Sequence, residues 1–551
     1  MSDTGLKIYR NGDILTVDED FRAAESVVTD GDRIVFAGPS ADAALWAGHG
    51  AESVDLGGAC MLPGFIDAHG HFGKVAQQNA WAELVPQDYF RPQTRSIDQI
   101  VETLRAHAER LADENEANEN EPVVGFGYHE TNIAEKRHPN RFDLDRVSAE
   151  RPVVIASTSL HIFVFNTPAL ALLSVSADTP DTDMTKIWRA PGTNEPSGVI
   201  QGPLAQEYFF NIKIRDEKKR LEAFEKAQAY YFRHGVTTVC EGKSTADDIA
   251  LLDLAAGSGK LRIDVVSFVD YTAIDEVLAR FPYEVGETRN RIRIAGIKII
   301  SDGTLSSGAY LSRPFEGTDD RGIQYISAKD LSGNIERALR NRWSFCVHAI
   351  GDAAVDKVMD AYEEALSRTG PVPNEPVKII NHATSVRLDQ LPRVKSLGFT
   401  LSLFPSATSK LYELFCSTIG KERADATNPV RSALSYGIPV TAHNDAPVFE
   451  ADPLIVVWAA MNRKSVTSGA VFCPEERVGA EDAIRLTTIS AARQYGIERD
   501  RGSIEPGKRA DFVILDANPL RTPPEKIGEI RVLATVKSGE TVYNIQNRGS
   551  A

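Results

Sequence analysis

MLPGFIDAHGH, residues 61–71, is the stretch on which the reading of the fold turns. Leu62, Phe65 and Ile66 are apolar and Pro63 with Gly64 bounds the run, a pattern that predicts a buried strand. Side chains alternate faces along a strand, so His69 and His71 leave its end on the same side. Two imidazoles converging in this way have the geometry a divalent metal needs, and imidazole suits zinc and its neighbours. Taken alone, such a pair is more often two polar residues at a strand end. The rest of the chain has to decide.

Downstream, helix and strand alternate. LEAFEKAQAYYFRHG (221–235) reads as a helix and VTTVCEG (236–242) as a strand; DDIALLDLAAGSG, LRIDVVSFVD, AIDEVLARF and IRIAGIKIISDG carry the rhythm to residue 303. SFCVHAIGD, VKIINHA, FTLSLFPS and IPVTAHNDAPV supply further strands between helical stretches. Such repeats predict an α/β fold, a parallel sheet with helices outside it, and with about eight strands a closed (β/α)8 TIM-like barrel is favoured over an open sheet. The two ends differ in texture. LKIYRNGDILTV (6–17) and RIVFAG (33–38) follow Asn-Gly and Asp-Gly turn logic, and GSIEPGKRADFVILD with RVLATVKSGETVYN mirrors them near the C-terminus. They predict a small β-sandwich domain built from residues 1–61 and 500–551, the alternative being two unrelated β appendages. The barrel then occupies 62–499, with an insertion at about 74–230 after its first strand. That insertion contains the helix SIDQIVETLRAHAERLADENEAN and the strand RPVVIASTSLHIFVFN, and ADENEANENEP (112–122) reads as a solvated helix end and loop.

At 551 residues the chain exceeds one ordinary domain, and 42% hydrophobic with 25% charged residues is a globular balance. A net charge of −16 argues against nucleic acid or an anionic membrane surface as partner, because both require a basic face. No apolar run approaches the ~18 residues of a membrane helix. Cys60, Cys240, Cys346, Cys416 and Cys473 are scattered without a C-x-x-C pair, which fits reduced thiols. With no basic-then-apolar leader at the N-terminus, the expected location is cytoplasmic.

Barrel chemistry gathers at the C-terminal ends of strands. Those ends carry His69 and His71, Lys298 in GIKIISDG, His348 in CVHAIGD, His382 in IINHA and Asp445 in TAHNDAP. A single strand-end histidine is more often structural, but five strands arriving with complementary ligand types are hard to explain that way. Lys298 would be costly if buried and unpaired. It either pairs with Asp302 or stands desolvated with a lowered pKa. A neutral amine of that kind reacts with carbon dioxide to give a carbamate, a two-oxygen anionic ligand able to bridge two metals.

PGFIDAHGH, HGVTTVCEG, IKIISDGTLSSG, VHAIGDAAVD, INHA, NDAPV and GKRADFVILD together resemble the amidohydrolase superfamily, specifically the amidohydrolase-3 group that includes N-substituted formamide deformylases. The resemblance runs over essentially the whole chain. It implies that His69 and His71 hold a more buried metal and His348 and His382 a more exposed one. Carboxylated Lys298 would bridge them and Asp445 would touch the first metal and a bridging water, giving two zinc ions, or one if Lys298 stays unmodified. Two departures stand out, Ser306-Ser307 and His443-Asn444, each where relatives often have Gly-Ser; both are expected in mouth loops, bearing on substrate choice more than on the metal core.

The implied reaction is hydrolysis of an amide-type C–N bond, N-acyl or N-formyl, by a metal-activated hydroxide, with Asp445 as general base. His161, in SLHIFVFNTPAL, resembles a substrate-facing position that would steady the oxyanion or orient the carbonyl; otherwise it is a strand histidine satisfied by backbone. His129 and Gln201 are further pocket candidates. Asp352 either orients an imidazole or, more simply, caps the following helix, and His107 and His234 read as structural. The aromatics of EYFFNI and KLYELF are expected in helix cores rather than lining a pocket. A mononuclear deaminase is the nearest alternative, but no glutamate follows His348 closely and Lys298 is present. A catalytically silent barrel would tend to lose ligands, whereas here every one is kept. The expected partner is a small amide-type substrate, and relatives of this kind are commonly homodimers.

Overall fold

The computed structural model describes residues 5–47, 50–78, 80–85, 88–91, 93–113, 121–182, 184–212, 214, 216–306 and 308–547. Ser307 and most of the acidic tract at 112–122 lie outside the described residues.

Eight parallel strands follow one another in chain order. They are β1 (Phe65–Ile66), β2 (Val236–Ser244), β3 (Asp264–Asp270), β4 (Ile292–Ile300), β5 (Ser344–Ala349), β6 (Lys378–His382), β7 (Thr400–Leu403) and β8 (Val440–Ala442). The sheet curls until its ends meet. His71 N donates to Ala446 O at 2.7 Å, and Gln494 accepts from Thr441 Oγ1 at 2.6 Å while donating to Ala68 O at 2.8 Å. This is a TIM-like barrel, and its register decides the site. Lys298 lies opposite Cys346, and Ala349 opposite His382, so β4, β5 and β6 end at one level.

The helices outside explain the apolar strands, since a parallel sheet is covered on both faces. Helix Ala328–Asn341 shows the local logic. Ser327 caps it by accepting from Asp330 N at 3.1 Å; Leu331, Ile335, Ala338 and Leu339 recur on its buried face; Arg342, left-handed at φ 58°, ends it. Each large aliphatic buried there contributes roughly 1.5–3 kcal/mol.

The opening stretch is not one strand. Cys60–Pro63 pairs antiparallel with Phe512–Leu515 in a separate sheet, and only Phe65–Ile66 enters the barrel. The change occurs at Gly64, whose N–H donates to Asp511 O at 2.8 Å and where a Cβ would lie 2.4 Å from Thr237 Cγ2. The separate sheet is built from both termini and runs in the order Glu540–Asn544, Val532–Lys537, Phe512–Leu515, Cys60–Pro63, Leu6–Leu15, Ala23–Asp30, Arg33–Gly38, with Glu52–Asp55 also on Leu6–Leu15. Asp264 at the base of β3 meets Lys537 and Arg501, while Lys537 also reaches Asp511 at 2.7 Å, a buried ion network that fastens this sheet to the barrel.

The insertion forms a third, six-stranded sheet. RPVVIASTSLHIFVFN makes a hairpin rather than a single strand: Val153–Ser157 and Ile162–Phe165 pair antiparallel. Ser157 Oγ and Ser159 Oγ lie 2.8 Å apart and Leu160 N donates to Ser157 O at 3.0 Å, so the chain reverses just before His161. Among the described residues no helix is long and apolar enough to cross a membrane.

Candidate metal centre and active site

All six expected ligand residues stand at the C-terminal mouth of the barrel. His69 and His71 follow β1 with ring centroids 5.3 Å apart. Gly70 between them leaves room for the Asp67 carboxylate, whose Oδ2 would lie 2.4 Å from a Cβ there. Lys298 is 2% exposed, with Nζ 3.4 Å from His69 Nε2 and 3.8 Å from Cys346 Sγ. Its partner is therefore not Asp302, which accepts instead from the backbone N–H of Ile350, Gly351 and Tyr310 at 2.8–3.0 Å. His348 and His382, on adjacent strands, have centroids 4.6 Å apart. Asp445 Oδ1 lies 3.4 Å from His69 Nε2 and 3.5 Å from His71 Nε2. His382 and Asp445 both sit in the left-handed region, at φ 68° and 56°, a strain of about 1–3 kcal/mol each that gathers at functional sites.

Burial sets the protonation states. It holds His69, His348 and His382 well below the usual imidazole range and takes His71 to about 3, with neighbouring cationic groups acting in the same direction. Neutral imidazole is the form that binds metal. Burial also pushes Asp445 up to about 7, opposed by Lys298. Asp445 Oδ1 and His382 Nδ1 are buried without a hydrogen-bond partner, each a desolvation cost of about 1–3 kcal/mol unless a ligand satisfies it. Donor atoms of His69, His382 and Asp445 come within 4.8 Å of one another. Neutral nitrogen donors, a carboxylate and orphaned atoms aimed at one point fit a divalent cation.

His161 lies at the end of the hairpin turn, 8% exposed, its ring 5.8 Å from His348 and stacked on Tyr325. Its Nδ1 has no partner, and burial lowers its pKa to about 4, so it stands neutral over the centre. His129 lines the same cavity, although its Nδ1 already accepts from Thr131 N at 3.3 Å. Gln201 is buried beside Tyr325 at the end of strand Pro196–Gln201, behind the cavity wall. Asp352 neither caps its helix nor orients an imidazole. Gly351 occupies the cap position, and the Asp352 carboxylate takes Ser312 N at 2.9 Å and Arg387 at 2.6 Å. The His348 imidazole is held instead through Nε2 by Gly303 O at 3.3 Å, with Asp302 Oδ1 alongside at 3.5 Å. His107 and His234 engage Arg110 and Asp452, away from the centre.

Two residues of the centre escaped sequence reading. His443 follows β8 in the mouth loop, as expected, but its ring stands 5.2 Å from that of His69 and 5.0 Å from that of His382, beside the candidate metal-site residues. Its position two residues before Asp445, at the end of β8, was the available signal. Glu241, in VTTVCEG, stands behind His71 with Oε1 3.9 Å from Nδ1 and accepts Gly73 N at 2.6 Å; burial raises it to about 8. The cavity above the centre measures about 70 Å3. One wall is polar, with His129, Thr158, Ser159 and His161; the other is apolar, with Phe404, Leu411, Phe415 and Phe449. KLYELF thus lines the pocket in part, through Leu411 and Phe415 one helical turn apart, while Tyr412 turns away to stack on Phe472. Phe209 of EYFFNI packs in the insertion's core against Trp81 and Phe163.

A parallel barrel carrying imidazoles and a carboxylate at its C-terminal mouth defines a metal-dependent hydrolase class. The chain belongs to the amidohydrolase family, whose signature matches residues 52–543, and members of that family are hydrolases of carbon–nitrogen bonds. It is 27% identical to an N-substituted formamide deformylase of Arthrobacter pascens over 97% of both chains. It is also 27% identical to the putative amidohydrolase YtcJ of Bacillus subtilis, over 97% of this chain and 99% of that one. An uncharacterized metal-dependent hydrolase from Pyrococcus furiosus superposes with a TM-score of 0.72 at 28% identity, covering 94% of this chain and all of that one (100%).

Proposed function

We propose that this chain hydrolyses the amide-type bond of a small, uncharged N-acyl or N-formyl compound, with His69, His71, Lys298, His348, His382 and Asp445 as its metal-site residues. The observation that carries the reading is Asp445: Oδ1 is unpartnered, 3.4 and 3.5 Å from two neutral imidazoles, on a carboxyl whose pKa burial raises to about 7. Zinc is the best match to these donors, as two ions if Lys298 is carboxylated and one if it is not, and when bound it polarises a carbonyl and acidifies water.

Asp445 accepts the proton of the attacking water and delivers it to the leaving nitrogen, a role open to a buried carboxylate whose Oδ1 has no hydrogen-bond partner. His161, neutral and with a free ring nitrogen, orients the carbonyl and donates to the developing oxyanion. Phe404, Leu411, Phe415 and Phe449 exclude water and receive an apolar substituent, and no lysine or arginine is among the described lining residues to pair with a charged substrate. Asp302 and Glu241 steady the imidazoles from behind. We also read residues 1–61 with 500–551 as a composite β-sandwich domain and 62–499 as the catalytic barrel.

The test is a hydrolysis screen over neutral N-acyl amines using zinc-loaded wild type and Asp445→Asn. The variant should keep its metal and lose about 10²–10⁴ in turnover. Near wild-type rates in that variant would remove Asp445 from the base role.

A further inference from the structure

His161 belongs to the insertion, whereas the imidazoles and carboxylate it faces belong to the barrel. Its own strand does not fix the ring. Among the described residues no group bonds Nδ1, and the hydrogen bond from His161 N to Ser159 Oγ at 3.3 Å holds the backbone only. The last torsion of a histidine side chain is broad and roughly two-fold, so the ring's angle has to come from packing.

The barrel supplies that packing. Tyr325 lies between β4 and helix Ala328–Asn341, its ring within 13° of parallel to that of His161 and 6.4 Å away between centroids. Aromatic pairs restrain one another over this range. The hydroxyl end of Tyr325 lies beside Gln201, which is the register partner of Ile162, the residue after His161. One barrel side chain therefore meets both paired strands of the insertion where they reach the pocket. Its own backbone is held on each side. Tyr325 N donates to Ser301 O at 2.9 Å, Gln324 bridges to Asp302, and the buried Lys357 donates to Gln324 Oε1 at 2.9 Å and to Ile326 O. Tyr325 is not among the described residues that line the cavity, so any influence on substrate passes through His161.

We propose that Tyr325 is a positioning residue, a barrel-borne plate that sets the angle at which the insertion presents His161 to the substrate carbonyl. The inference rests on the role given to His161 above and adds the residue that aims it.

The experiment compares zinc-loaded wild type, Tyr325→Phe, Tyr325→Leu, His161→Ala, and Tyr325→Leu combined with His161→Ala. Turnover is measured on the neutral N-acyl amine that wild type cleaves fastest, and crystal structures of the first three proteins read the His161 ring. Tyr325→Leu should lose roughly 2–10-fold in kcat with KM little changed, the fold-change an aromatic pair is worth, and its imidazole should be rotated or spread over two orientations. Tyr325→Phe keeps the stacked ring and should restore both. In the His161→Ala background, Tyr325→Leu should cost almost nothing further, because the residue it acts through is gone. An equal loss with and without His161, or an unmoved imidazole in Tyr325→Leu, would overturn the assignment of Tyr325. Wild-type kcat in His161→Ala would overturn the role of His161, and its aiming with it. No turnover by wild type would overturn the hydrolytic reading instead, and the ring angle in Tyr325→Leu would still decide whether Tyr325 holds the imidazole.

Discussion

Adding a single methyl group to β2 tests the geometry of the centre without touching a ligand. A Cβ at Gly242 would lie 2.4 Å from His69 Cε1 and 2.9 Å from both Gly70 O and His69 Nδ1. Ordinary contact is 3.4–4 Å, so the imidazole must retreat by about 1 Å. It has nowhere to go: His69 is 1% exposed and hemmed in by the rings of His71, His382 and His443 at 5.2–5.3 Å. Gly242→Ala should therefore cost about 1–3 kcal/mol of stability as overpacking. Displacing a ligand ring should also weaken metal binding by about 10–100-fold, as loss of outer support does. Gly333 is the control. It sits exposed in helix Ala328–Asn341 with nothing within 4 Å of its Cβ position, so Gly333→Ala should stabilise by about 0.4–1 kcal/mol. Thermal melts with and without zinc, together with zinc competition assays, read both effects. Gly242→Ala with wild-type melting and wild-type zinc affinity would show that β2 does not wedge His69 in place.

Lys298→Ala should lower the metal content of purified protein, and unchanged stoichiometry by elemental analysis would argue against a bridging carbamate. Burial keeps His69, His71, His348, His382 and His443 from protonating until the chain unfolds, so in the metal-free protein each costs stability as pH falls below about 6.5, while Asp445 and Glu241, raised to about 7 and about 8, take up protons in the folded chain and act in the opposite direction. Removing one imidazole isolates its share: the Tm of metal-free His348→Gln minus that of wild type should grow as pH falls from about 7 to about 5, and an unchanged difference would contradict that sign. Asp264→Asn strands two buried cations at the base of β3; with Asp511 and Asp500 still holding Lys537 and Arg501, the loss should sit near 3 kcal/mol, the low end for breaking a buried pair. Chemical denaturation reporting less than about 0.5 kcal/mol would demote the network to surface value.

Much of this molecule could be read locally. The order of the barrel strands follows from the alternation of apolar runs and amphipathic helices, and the helix faces follow from spacings such as Leu331, Ile335, Ala338 and Leu339. The candidate site positions were equally legible, because each lies at or near the end of an apolar strand: Lys298 in β4, His348 in β5, His382 in β6. Periodicity is a property of neighbours in sequence, and these are neighbour relations.

What the sequence could not settle are contacts across the closed sheet. Lys298 meets His69 rather than Asp302, although His69 is 229 residues distant and Asp302 only four positions away, because the curl of the sheet carries β4 towards β1 while the Asp302 carboxylate turns to the backbone amides of Ile350 and Gly351. His443 enters the centre for the same reason, once β8 comes alongside β1. The split of residues 60–66 between two sheets was likewise invisible, since both halves are apolar and buried and only their hydrogen-bond partners differ. By itself the sequence determined which side chains could bind a cation and in what order they arrive; barrel closure, a global constraint on backbone pairing, decided which of them meet.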